Sequence, residues 1–99
     1  MFLTIVTFPA ASTADPRALL EAAAPAYRSV PGLRRKYFIG NDEEAGGVYE
    51  WEDRASAERF FDADWRTRME QRYGAVPALR MFELPCLVDN LAGEVLWRD

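Results

Sequence analysis

Two short runs, Leu33-Arg34-Arg35-Lys36-Tyr37-Phe38-Ile39 and Gly46-Gly47-Val48-Tyr49-Glu50-Trp51-Glu52, decide how this chain folds. Each is about strand length, rich in aromatic or β-branched residues and bounded by glycine. The six residues between them, 40–45, are polar and acidic, as a turn requires. The pair reads as a β-hairpin. Upstream, Pro31-Gly32 ends a helix that opens at Asp15-Pro16, with Asp15 as N-cap and Pro16 at the first helical position. Leu19, Leu20, Ala23, Ala24 and Tyr27 recur along it at helical spacing, and Pro25 kinks it or weakens one turn. Before the helix, Phe2, Thr4, Val6 and Phe8 alternate with Leu3, Ile5 and Thr7, which makes a strand covered on both faces.

Downstream of the hairpin, Asp53 is the next N-cap. Ala57, Phe60, Phe61, Trp65, Met69 and Tyr73 follow at spacings of three and four. A break is expected at residues 62–64, with Asp64 capping a fresh turn, and Gly74 stops the helix. Leu79 to Val88 reads as the fourth strand, although Pro85 marks a sheet edge or bulge. The order is strand, helix, strand, strand, helix, strand. That is an α+β, ferredoxin-like βαββαβ arrangement: a four-stranded antiparallel sheet with helices on one face. Residues 1–99 form a single domain, with 89–99 as a C-terminal tail. The strands are apolar on both faces, and Leu91, Val95, Leu96 and Trp97 make the tail too apolar to be free. A homodimer covering the second face, with the tail at its interface, is therefore expected.

Composition removes several chemistries. Histidine is absent and Cys86 is the one cysteine, so no Ser-His-Asp or Cys-His nucleophile system and no His-ligated metal or haem can form. An intrachain disulfide is equally impossible, which suits a reducing, cytoplasmic setting. The net charge of −4 argues against nucleic acid or an anionic membrane as partner, since both need a concentrated positive field. No run approaches the ~20 apolar residues of a membrane helix. Asp42-Glu43-Glu44 and Asp62-x-Asp64 do not fit an Asp-rich calcium loop and read as a solvated turn and a helix break. Gly46-Gly47 lacks the spacing of a dinucleotide fingerprint; it frees the hairpin or lets a ligand or ring approach the backbone. Cys86, with no cation near it in sequence, is expected to be buried and inert.

The chemistry concentrates on the hairpin, and two registers are open. Pairing Lys36 with Glu50 sets Arg34 opposite Glu52 and gathers Arg35, Tyr37, Tyr49 and Trp51 on the other face. A one-residue slip instead groups Arg34, Lys36, Tyr49 and Trp51. Cross-strand charge pairs, worth about 0.2–1 kcal/mol each, favour the first. In both, phenol, indole and cation share a face. That face is either a pocket for an anionic aromatic ligand or plain core and dimer interface, with Trp65 and Tyr73 as an ordinary core stripe.

The run Pro31 to Phe38, the segment Glu44 to Asp53 and the helix start Ala55-Ser56-Ala57-Glu58 resemble the YdhR-like monooxygenases of the dimeric α+β barrel superfamily. The resemblance implies a ferredoxin-like protomer whose sheet packs on its mate's sheet. It also implies a monooxygenase that oxidises a small phenol, hydroquinone or anthrone with O₂ and uses no cofactor. The substrate anion itself reduces oxygen there, and the protein binds it, favours the anion and excludes water. Carried over, the catalytic residues would be Tyr37, Tyr49, Trp51 and Lys36. Arg35, Trp65, Phe61 and Tyr73 would bind substrate, and Asn41 is a weaker candidate in the turn. The competing expectation is a dimeric module that binds a small aromatic ligand without turnover.

Overall fold

A computed structural model describes residues 1–10 and 16–98. Its elements are β1 (Phe2–Pro9), α1 (Pro16–Ala23), a 3₁₀ turn (Ala24–Tyr27), β2 (Leu33–Gly40), β3 (Glu44–Trp51), α2 (Arg54–Phe60), α3 (Ala63–Tyr73), β4 (Ala78–Glu83), β5 (Cys86–Asp89) and β6 (Glu94–Trp97). The first four strands to pair form an antiparallel sheet in the order β2-β3-β1-β4, compatible with the ferredoxin-like arrangement. β1 starts at Phe2 and alternates buried with half-buried positions, as the doubly apolar strand pattern predicts. The cap expected of Asp15 lies outside the described residues.

Local chemistry sets the helix boundaries. Asp53 accepts from the Ser56 amide at 2.8 Å and starts α2. The break at 62–64 is present, but its cap is Asp62, which accepts from the Trp65 amide at 2.8 Å. Asp64, expected to cap, stands instead in the first turn of α3, where its carboxylate suits the helix dipole. Pro25 ends α1 and starts the 3₁₀ turn. The apolar stripe of α1 is not buried: Leu19 and Leu20 stay exposed, and the cover over this end of the sheet comes from Tyr27 and Val30. An eight-residue helix that terminates at a proline places only the residues after it within reach of the strands.

The fourth strand also departs from expectation. It divides at Leu84-Pro85 into β4 and β5, and β5 pairs with β6 in a separate two-stranded sheet. Proline has no amide to donate to a ladder, so the strand leaves the main sheet there. Asp89 turns the new hairpin by accepting from the Leu91 and Ala92 amides, both at 3.0 Å. Residues 94–97 of the tail are thus a strand, with Val88, Leu91, Val95 and Trp97 exposed. Cys86 is half-buried rather than buried.

The core lies between the sheet and α2–α3. Phe2, Val6, Tyr49, Trp51, Ala57 and Trp65 are buried together, with Phe60, Phe61, Met69, Leu79 and Met81 packed around them. The other sheet face carries Leu3, Ile5, Val48, Tyr37, Ile39 and Phe82, of which the last three are exposed. No helix among the described residues is long and apolar enough to cross a membrane.

Candidate functional site

The register of β2 against β3 builds the site. Lys36 stands opposite Tyr49, Arg35 opposite Glu50 and Tyr37 opposite Val48, with a bulge between Leu33 and Arg35 that returns Leu33 to face Trp51. The register with Lys36 opposite Glu50 is therefore not the one formed. A charge pair survives on the outer face, where Arg35 lies 3.7 Å from the nearly buried Glu50 carboxylate. The helix-side face gains the Lys36 side chain, whose Nζ lies over the Tyr27 ring of the 3₁₀ turn, and the Phe38 ring, which meets Tyr27 edge-on. Ring contacts contributed by other elements outweigh the second surface charge pair.

This register divides the candidate residues. Lys36, Tyr49, Trp51, Phe61 and Trp65 come together on the helix side; Arg35 and Tyr37 point to the outer face. Tyr49 and Trp51 stack nearly parallel, 5.9 Å between centroids, and Phe61 meets both edge-on. The Trp51 Nε1 donates to Thr4 Oγ1 at 3.0 Å, which satisfies a buried indole. Trp51 and Trp65 are 0% and 3% exposed, so these indoles are core walls rather than open stacking surfaces. Tyr73 is the last residue of α3, and its side chain lies outside the described set. The Asn41 side chain closes the hairpin turn by accepting from the Glu43 and Glu44 amides.

Lys36 is the chemically distinctive group. Its Nζ donates to Tyr49 Oη at 2.8 Å and lies over the rings of Tyr27, Tyr49 and Phe38, at 3.5, 4.3 and 4.4 Å from their centroids. Burial disfavours the ammonium and pushes the Lys36 pKa down to about 7. Gly47 makes the space: a Cβ there would come within 2.9 Å of Lys36 Cε and 3.1 Å of Tyr49 Cε1. Its neighbour Gly46 serves a different contact, since a Cβ there would run into the Val6 carbonyl on β1. The glycine pair thus admits a side chain and a strand.

Beside Lys36 a cleft of about 240 Å³ opens between the 3₁₀ turn and β2. Ala24, Tyr27 and Arg28 form one wall; Leu33, Arg34, Lys36 and Phe38 form the other, with Arg35 at the rim. An amine near its midpoint at neutral pH, a hydrogen-bonded phenol and the neighbouring Arg28 can take a proton from a weak acid and hold its anion. Reading the sequence for this chemistry leaves out Tyr27, Phe38 and Arg28. One signal was available: Lys36 is the only lysine of the chain, against eleven arginines. Lysine loses its charge on burial and arginine does not, so a lone lysine in an arginine-rich chain marks the place where a neutral amine is possible. Among the described residues no three carboxylate or thiol side chains converge as metal ligands would. Set against protein-family models and curated proteins, the chain matches none.

Proposed function

We propose that this protein is a cofactor-independent monooxygenase that oxidises a small phenol or hydroquinone with O₂ at the Lys36 cleft. The observation that carries the reading is the Lys36 amine, held by Tyr49 Oη and three rings at the edge of a cleft flanked by Arg28 and Arg34. The resemblance of residues 31–38 and 44–53 to the YdhR-like monooxygenases points the same way. Neutral Lys36 takes the phenolic proton, and Arg28 holds the phenolate. The phenolate gives an electron to O₂, the radical pair combines at a ring carbon, and the peroxide loses water to leave a quinone. A phenol plus O₂ then yields a quinone plus water, one oxygen heavier and two hydrogens lighter. The cleft is below the about 300–1,000 Å³ of typical ligand pockets, so a single-ring substrate suits it better than an anthrone.

The test is oxygen uptake by purified protein with a panel of single-ring phenols and hydroquinones in metal-free, flavin-free buffer. Turnover is expected to rise with pH through about 7, because the base acts only when deprotonated. Lys36→Met, which keeps the stem and removes the amine, is expected to abolish it while the circular dichroism spectrum stays unchanged. Activity that needs added flavin, or that survives Lys36→Met, overturns the mechanism.

The burial of Tyr49, Trp51 and Trp65 favours a second reading, a binding module in which these rings only pack. It predicts saturable ligand binding at the cleft with no oxygen consumed. Under either reading we assign the outer sheet face to a second copy of the chain, in the manner of a dimeric α+β barrel. Its support is the apolar row Leu3, Ile5, Val48, Tyr37 and Phe82, together with the exposed Val95 and Trp97 of the β5–β6 hairpin.

A further inference from the structure

An amine that is neutral in use can act as a nucleophile as well as a base, and the surroundings of Lys36 hold the other parts that such chemistry needs. Nζ lies 2.8 Å from a phenol that can return a proton to a departing hydroxyl. The neighbouring cleft, about 240 Å³, takes a molecule of a few to about ten heavy atoms; Arg28 and Arg34 are among its lining residues, and the Arg34 guanidinium also reaches Met1 Sδ at 2.8 Å. We propose that Lys36 is a carbonyl-capturing residue that forms an imine with a small aldehyde or ketone bearing a carboxylate or phosphate. Nζ adds to the carbonyl carbon, and one of its hydrogens passes to the oxygen. The resulting carbinolamine then loses that oxygen, with both amine hydrogens, as water. The C=N bond replaces the C=O bond, and no oxidant or reductant takes part. Tyr49 Oη is placed to give the proton that the leaving hydroxyl needs and to recover it from the nitrogen. Arg28, on the cleft lining, is the cation that seats the anionic group, which separates this substrate class from neutral aldehydes.

The charge state fits. With its pKa near 7, about half of Lys36 is neutral at pH 7, whereas an ordinary lysine is neutral in roughly one molecule in 2,500. The groups nearest it are Tyr49 from β3, Tyr27 from the 3₁₀ turn and Arg28 just after that turn on the cleft lining, whereas Arg35 pairs with Glu50 on the other sheet face and Arg34 reaches Met1 Sδ. Among the described residues, no carboxylate lines the cleft to hold the ammonium in place. This chemistry uses the same side chain as the proposed oxygenase but does not depend on that activity.

The chain makes the test clean, because Lys36 is the one lysine among residues 1–99. The protein is incubated at pH 7 with 4-formylbenzoate and sodium cyanoborohydride, which reduces the imine to a stable secondary amine. Peptide mapping then gives the rate at each amine. Lys36 is expected to label at least about tenfold faster than Nα-acetyl-lysine amide in the same buffer, and to lose that advantage in denaturing urea. The methyl ester of the probe is expected to label more slowly than the anion, and Arg28→Gln is expected to narrow that gap. Tyr49→Phe, which keeps the ring and removes Oη, is expected to slow labelling several-fold. Labelling at Met1 alone, or at Lys36 no faster than the free lysine derivative, overturns the proposal. Equal rates for anion and ester overturn the anionic substrate class. Oxygen uptake is measured without the reductant, so a protein that consumes O₂ and leaves Lys36 unlabelled has the base without the nucleophile.

Discussion

Trp51 and Lys36 sit on one sheet face within two rows of each other, yet they answer to different physics. The Trp51 indole is wholly buried, stacked on Tyr49 and tied to Thr4, so its removal opens a large cavity and strands a hydroxyl. Trp51→Ala is expected to destabilise the fold by about 3–5 kcal/mol, read as a fall in the urea midpoint; a loss under about 1 kcal/mol would mean the indole is not a core wall. Lys36 is held by weaker forces, cation–π contacts and one hydrogen bond, which partly offset the cost of burying its charge. Both residues are plain in the sequence as part of an aromatic, cationic hairpin. Which of Arg35 or Lys36 joins Tyr49 is not, because the two hairpin registers differ by roughly one surface charge pair. The rings that break the tie, Tyr27 and Phe60, come from elsewhere in the chain.

Elements follow local rules more closely. Asp53 and Asp62 cap α2 and α3 through side-chain oxygens on amides three residues ahead, and the α2–α3 break keeps Phe60, Phe61 and Trp65 on one side. Asp62→Ala is expected to cost about 0.5–2 kcal/mol in denaturant unfolding, and Asp62→Asn much less, since asparagine caps nearly as well. Equal losses for the two variants would assign the effect to charge instead of capping. Proline positions also told the truth about where elements end. Pro25 closes α1, and Pro85 divides a ten-residue apolar run into β4 and β5. That β5 then pairs with residues 94–97 was hidden, because a four-residue strand carries too little pattern to separate it from an apolar tail.

At the scale of the molecule the unbalanced feature is the outer sheet face. Tyr37, Ile39 and Phe82 are exposed on it, while Glu50 is buried with one carboxylate oxygen unpartnered among the described residues. The assigned pairing of two copies through this face predicts a particle of about twice 11.3 kDa by sedimentation at micromolar concentration. Phe82→Glu is expected to return the mass to one chain. A single-chain mass for the unsubstituted protein would remove the barrel from consideration.

The sequence alone determined the element order as far as β4, the hairpin, the helix break near Asp62 and the confinement of unusual side chains to β2 and β3, because periodicity, caps and prolines act within a few residues. It also contained, in its single lysine, a pointer to the one cationic side chain able to shed its charge. Only the tertiary structure decided that this lysine faces Tyr49, that Tyr27 closes the cage over it, and that Tyr37 and Arg35 belong to the opposite face. The reason is that strand register is a competition between nearly equal local pairings. It is resolved by rings carried on the 3₁₀ turn and α2, whose positions exist only once the chain has folded.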